Sequence, residues 1–358
     1  MKYEEIAYKL NVTEKESNIH IANEIFADLI NKFDELYQED LKKNYTTSFN
    51  LDSGEGKKPR SKRKGASSNH IAFAYSYNYL ITYLYRYAKY GQSFFNTKLI
   101  NQILGYAPNY QDGNFIIKKG GLLEQLNYTT TTTDYPIAWS FEESIMDEND
   151  DVMGVSFDMF SEEENDEYKQ VTLKHKGRNH KIKHPTKAFW RTPESKLEDK
   201  LDGTFYKVAD THSIPFEVFM YCMSNKEIGC KGFYLYSYLL FKNQWFGEGY
   251  DVSFENLERE TGLRGRTMGD VLDTIRKYNM VTGVQNMEYY CVIIKDELKL
   301  ANTYITNSFD EFNDEPLPYK KITVMKKKDY QEILDKETEE EALRLGEIIT
   351  IPLDMLPY

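Results

Sequence analysis

Residues 253–284 read SFENLERETGLRGRTMGDVLDTIRKYNMVTGV. Ser253 stands where a helix N-cap accepts backbone N–H bonds, just ahead of Phe254 to Thr261. Val252 before the cap and Leu257 after it are spaced as a hydrophobic staple. Gly262 supplies the left-handed residue that ends this helix. Arg264-Gly265-Arg266-Thr267 opens a second helix, in which Met268, Val271, Leu272 and Ile275 fall on one inward face. Tyr278-Asn279-Met280 closes it. Val281 to Gln285 and Tyr289 to Ile294 then read as two strands joined by Asn286-Met287-Glu288. Upstream, Ile214-Pro215 leads into an apolar stretch ending near Met223. Gly229-Cys230-Lys231-Gly232 separates it from Phe233 to Trp245, a supporting helix rich in Tyr and Leu.

This order of elements predicts a winged helix-turn-helix, whose second helix presents its N-terminal residues to base edges in the major groove. Those residues are Arg264, Arg266 and Thr267, with Arg276 and Lys277 at the far end suited to phosphate. An arginine can donate two hydrogen bonds to guanine, worth about 1–3 kcal/mol of discrimination. Winged domains also serve as protein-protein modules, so that use stands beside DNA binding.

A weaker copy of the pattern runs from Ser67 to Phe141. Ser67-Ser68-Asn69 offers N-cap side chains. Tyr75, Tyr79, Tyr83 and Tyr87 repeat every four residues on a helix apolar nearly all round, which places it in a core. Asn96 to Gly105 reads as a short helix. Asp112 to Leu126 reads as another, carrying Asn114, Lys118 and Lys119 as candidate DNA contacts. Thr129 to Thr133 reads as a wing strand. The expected fold is therefore mostly α with small β-hairpins (α+β), built from tandem winged helix-turn-helix domains. The expected division is 1–49 N-terminal helical segment, 50–66 basic linker, 67–145 first winged domain, 146–205 connector, 206–302 second winged domain and 303–358 charged tail.

The 358 residues carry a net charge of −12, which disfavours indiscriminate DNA coating but not local basic faces. Lys57, Lys58, Arg60, Lys62, Arg63 and Lys64 crowd into a Gly- and Ser-rich segment, readable as a solvated loop or as a phosphate-contacting arm. Lys174, Lys176, Arg178, Lys181 and Lys183 lie in the alternating stretch Val171 to Lys183, which reads as a basic β-hairpin. Ile21, Ile25, Phe26, Leu29, Ile30 and Phe33 give residues 14–43 a wide apolar helical face, able to pack on the chain or on a second copy in a homodimer. Lys328 to Gly346 reads as a charged helix. Cys222, Cys230 and Cys291 are expected to be buried reduced thiols. No apolar run reaches the roughly 18–20 residues that span a bilayer, and Met1-Lys-Tyr-Glu-Glu is not a signal peptide. A cytoplasmic chain without membrane contact is expected.

Phe233 to Leu240, the helix from Phe254 to Thr261 and Arg264 to Met280 resemble the winged-helix domain of RepA_N-type and related replication initiators of Gram-positive plasmids and phages. The resemblance covers roughly 80 residues, and the upstream copy is similar to the two-winged plan of plasmid initiators. It implies that Arg264, Arg266 and Thr267 read bases and that replication or transcription machinery is a partner.

Catalysis is not expected. The chain has no G-x-x-x-x-G-K-[ST], G-x-G-x-x-G or G-x-S-x-G motif. His175, His180 and His184 lack the further ligands of a zinc site, so neither metal nor cofactor is expected. The expected function is sequence-specific binding of double-stranded DNA, in plasmid or phage replication initiation or its control. A transcriptional repressor or activator of a mobile element is the alternative, and a winged-helix protein-protein adaptor is the alternative from another class.

Overall fold

A computed structural model describes residues 1–13, 18–36, 67–142, 154–177, 180–187, 189–190, 205–206 and 210–349. The fold is α+β, rich in helix, with small and mostly antiparallel sheets. The candidate DNA contacts Lys57, Lys58, Arg60, Lys62, Arg63, Lys64 and Arg178 lie outside the described residues.

The N-terminal helix α1 (Tyr3–Leu10) is followed by strand β1 (Asn18–Ala22) and helix α2 (25–36). A single helix had been expected across 14–43. Instead residues 18–22 pair antiparallel with β8 (Thr211–Pro215), in register Asn18↔Pro215 to Ala22↔Thr211. The β-branched residues Ile19 and Ile21 bury there against a partner nearly 200 residues away in sequence, which helical spacing cannot anticipate. The apolar face of α2, with Ile25, Phe26, Leu29 and Phe33, is buried within the chain's own core. The face foreseen for a possible homodimer is thus filled from inside.

Helix α3 (Ser68–Arg86) starts at Ser67, as the capping residues predict, and is buried from Ile71 to Arg86. It lies against α10 (Gly229–Trp245), introduced below as the support of the second unit. Tyr79 meets Phe233 edge-on at 4.9 Å between ring centroids, and its hydroxyl donates to the Ile214 carbonyl at 3.1 Å. The two segments foreseen as separate winged units therefore share one continuous hydrophobic core, reaching from Ile6 to Tyr304.

After α4 (Lys89–Gln92) and α5 (Thr97–Ile103), the helix expected over 112–126 is broken into α6 (Asn114–Ile117) and α7 (Leu122–Gln125). Gly120 has φ +70°, and a Cβ on Gly121 would fall 2.7 Å from the Lys118 carbonyl oxygen. Both glycines make the turn possible because they lack a side chain. Strand β2 (Thr129–Thr132) confirms the threonine run. It pairs with β5 (Ile182–Pro185), while β3 (Pro136–Glu142) and β4 (Gly154–Met159) form an antiparallel pair.

The hairpin expected over 171–183 is replaced by helix α8 (Asp166–Lys176). Asn165 accepts the Tyr168 N–H at 3.0 Å, Asp166 and Glu167 sit in the first turn, and Lys174, His175 and Lys176 in the last. Capping and complementarity to the helix dipole outweigh the alternation of residue types.

Strands β6 (Phe189–Trp190) and β7 (Phe205–Tyr206) form a further antiparallel pair, and β8 then leads into α9 (Phe216–Ser224) and α10. Next come β9 (Tyr250–Val252), α11 (Phe254–Thr261), α12 (Arg266–Lys277), β10 (Val281–Val284), β11 (Tyr289–Tyr290) and β12 (Asn302–Thr306). The expected hairpin between 281–285 and 289–294 does not form. β10 pairs with β12, from Val281↔Thr306 to Val284↔Thr303, and β12 pairs with β9, giving the order β10-β12-β9. β11 instead pairs in parallel with β13 (Thr323–Val324). There Cys291 and Ile294 pack with Tyr330 of the long helix α13 (Lys327–Ile349), which bears out the charged helix foreseen near the C-terminus. The apolar alternation of 289–294 thus finds its cover outside the sheet. All three cysteines are buried free thiols. Among the described residues no helix is long and apolar enough to cross a membrane.

Candidate nucleic-acid interface

The helix pair α11–α12 forms as its sequence predicts. Ser253 Oγ accepts the Asn256 N–H at 3.2 Å, and Gly262 ends α11 with φ +67°. A Cβ on Gly262 would fall 2.6 Å from Ile71 Cδ1, so the turn sits tight on α3. Ser68 ties the same turn down: its hydroxyl donates to the Gly262 carbonyl at 3.5 Å and accepts the Arg264 N–H at 3.2 Å. Met268, Val271, Leu272 and Ile275 are buried, as expected. α12 is thereby held by its apolar side with its first turn outermost.

Arg266 opens that turn with its side chain 93% exposed, and Thr267 is half-buried. Both guanidinium groups foreseen as base readers meet carboxylates. Arg264 Nη2 lies 2.7 Å from Asp34 Oδ1 of α2, and Arg266 Nε lies 3.4 Å from Asp270 Oδ2 one turn on. All four side chains are about half-exposed or more, and ion pairs in that setting contribute about 0–1 kcal/mol each.

The far end of α12 differs from the reading of Arg276 and Lys277 as open phosphate contacts. Residues 313–321 run along it as a strap. The Asn313 N–H donates to the Tyr278 carbonyl and the Leu317 N–H to that of Lys277, both at 2.9 Å. Arg276 lies over the Tyr319 ring at 3.9 Å and donates to the Gly283 carbonyl at 3.2 Å. Asp273 accepts from Lys277 at 2.6 Å, from the Tyr319 hydroxyl at 2.8 Å and from Lys321 at 2.5 Å. Burial alone would raise the Asp273 carboxyl, but these three donors hold it well below the usual carboxylate range. The same hydrogen bond raises Lys277. No local pattern in 264–280 announces the strap, because its partners lie some 40 residues on.

The upstream candidates divide in two. Asn114, Lys118, Lys119 and Lys181 are exposed, as is Lys174 on α8. Lys176 and Lys183 turn inward, against the expectation of an exposed hairpin face. Lys176 Nζ donates to the Tyr90 and Gly91 carbonyls and lies 4.8 Å from the Tyr135 ring centroid. Burial lowers its pKa to about 8. Lys183 Nζ lies 2.7 Å from Glu124 Oε1 and 2.9 Å from Thr131 Oγ1. Burial pushes Glu124 up, but hydrogen bonds from Lys183, Thr131 and the Gly120 N–H outweigh it and leave its pKa at about 2. Among the described residues no cluster of three His, Cys, Asp or Glu side chains is placed to hold a metal ion.

No protein-family model, no curated protein and no solved structure matches the chain.

Proposed function

We propose that this chain is a sequence-specific double-stranded DNA-binding protein, and that residues 229–306 form a winged helix whose reading helix is α12. The observation that carries this reading is the order helix, strand, helix, helix, followed by three strands of which the first and third join β9 in the sheet order β10-β12-β9, with Arg266 at the outermost turn of α12. The segment 67–142, with its helices and strands β2 and β3, is the second winged element of the proposal; β3 pairs with β4 beyond it. Replication initiation on a plasmid or phage, or control of that step, is the biological role we assign. A repressor or activator of a mobile element would use the same surface.

The exposed pairs with Asp34 and Asp270 are weak enough to be exchanged for contacts to guanine. Selection from a random duplex pool at low salt is expected to enrich a defined sequence. Arg264→Ala and Arg266→Ala should each cost about 1–3 kcal/mol on that duplex, measured by anisotropy, and relax the selected sequence. Failure to retain any duplex at low salt would reject DNA binding. It would favour the adaptor reading, which the carboxylates Asp34, Asp270 and Asp273 around α12 support.

The strap makes a separate prediction. Tyr319→Ala removes the ring under Arg276 and one donor to Asp273. Duplex affinity should rise and the salt slope steepen by about one phosphate contact. An unchanged slope would remove Arg276 from the proposed interface.

A further inference from the structure

The turn that opens α12 is held from outside the winged unit, by α2 and α3. A Cβ on Gly262 would fall 2.6 Å from Ile71 Cδ1 of α3 and 3.4 Å from Ile30 Cγ1 of α2. Leu263 is fully buried, and the Arg264 N–H donates to Ser68 Oγ at 3.2 Å. Packing thus fixes the backbone from which the Arg264 side chain leaves. Residues four apart on a helix share a face, so Asp34 follows Ile30 along the side of α2 that meets this turn. There Arg264 Nη2 lies 2.7 Å from Asp34 Oδ1. The neighbouring carboxylate of Glu35 is taken by Lys32 at 2.9 Å. Arg266 differs, because its partner Asp270 is on α12 itself and 3.4 Å away.

We propose that Asp34 is a positioning residue for base reading by Arg264, an inference that rests on the DNA-binding reading of α12. A guanidinium carries five N–H donors and Asp34 engages one nitrogen, so a two-bond fork to guanine O6 and N7 stays open beside it. Arg264 thus keeps Asp34 when it meets a base. The pair holds a long side chain in one direction, which lowers the rotamer freedom lost on binding. It also changes what Arg264 favours. Attraction to phosphate depends on charge, and a guanidinium beside a carboxylate offers little of it. Attraction to a base edge depends on directed donors, which the pair leaves in place. Asp34 thereby weakens attachment to any duplex while supporting the selected one, and specificity is the difference between the two.

The full chain is titrated by fluorescence anisotropy with the duplex it selects and with a scrambled duplex of the same length, at one salt concentration. Asp34→Asn keeps the shape and loses the charge. It should bind the selected duplex about fivefold more weakly, the upper end of what an exposed ion pair contributes, with no loss on the scrambled one. Selection repeated with this variant should relax at the base pair that Arg264→Ala relaxes. In the Arg264→Ala background, Asp34→Asn should not change the ratio of the two affinities further. Glu35→Gln removes the same charge one residue away and should leave that ratio as in the wild type. A tighter complex of Asp34→Asn with the selected duplex would mean that Asp34 competes with DNA, and would overturn the proposal. So would an unchanged ratio, or a lowered ratio that persists without Arg264. A wild-type chain that retains no duplex would remove the DNA-binding reading itself, and this inference with it. Asp34 and Glu35 are about half-exposed or more, so both variants should fold, which unchanged circular dichroism checks.

Discussion

Phe26→Ala is expected to lower the unfolding free energy by about 3–5 kcal/mol, the cost of removing a fully packed aromatic ring and leaving its cavity. Phe26 is 3% exposed and touches rings from three parts of the chain. Its centroid lies 5.2 Å from Tyr75 of α3, 4.9 Å from His212 of β8 and 5.1 Å from Tyr238 of α10. The ring therefore sits where the N-terminal segment and the two halves of the chain meet. Urea unfolding followed by both circular dichroism and tryptophan fluorescence should show one transition, shifted as a whole. A loss below about 1 kcal/mol, or two separate transitions, would mean that the halves fold on separate cores.

The second large effect is expected from acid. His212 is fully buried, with the Tyr75 hydroxyl 2.6 Å from Nε2 and Asn23 Oδ1 3.0 Å from Nδ1. A neutral ring donates to Asn23 from Nδ1 and accepts from Tyr75 at Nε2; a second proton turns that acceptor into a donor. Burial lowers the pKa of His212 from 6.5 to about 3, with the charge of His20 adding to the effect. Burial lowers His20 from 6.5 to about 4, with Arg86 adding to it. Both pKa values are depressed on folding. The unfolded chain therefore takes up protons below about pH 6.5 while the native chain does not, and stability falls as the pH drops. It is fully present above pH 6.5 and lost progressively toward pH 4. Each histidine should remove about 2 kcal/mol between pH 7.5 and pH 5. His212→Gln, which keeps polar atoms but cannot titrate, should reduce the slope of stability against pH by about half. A stability flat from pH 7.5 to pH 5 would mean that neither ring is kept neutral by its surroundings.

Both predictions rest on contacts across long sequence distances, and these were the least legible in the chain. Helices α3, α11 and α12 could be read because their determinants lie within a few residues: Ser67 and Ser253 as caps, Gly262 as terminator, and Met268, Val271, Leu272 and Ile275 as one face. The tyrosines at 75, 79 and 83 were correctly placed in a core by their spacing alone. Strand partners were not legible, because any alternating segment satisfies the same local pattern. Thus the alternation of 289–294 suits a hairpin with β10 although Tyr289–Tyr290 pairs with β13, and the helical spacing of 18–22 gives way to a strand paired with β8.

The candidate site followed the same division. Arg266 is exposed as its position at the start of α12 implied. Arg276, Lys176 and Lys183 are equally basic in the sequence, yet one lies on Tyr319, one meets the carbonyls of Tyr90 and Gly91, and one pairs with Glu124. By itself the sequence determined where helices such as α3, α11 and α12 begin or stop and which of their faces is apolar, since those properties arise from bonds and packing within one or two turns. Only the tertiary structure decided which strands pair, which lysines and arginines face solvent, and that both halves close around one core. Those outcomes depend on groups brought together from distant parts of the chain, and burial next to a carbonyl, a carboxylate or a ring changes what a charged side chain can do.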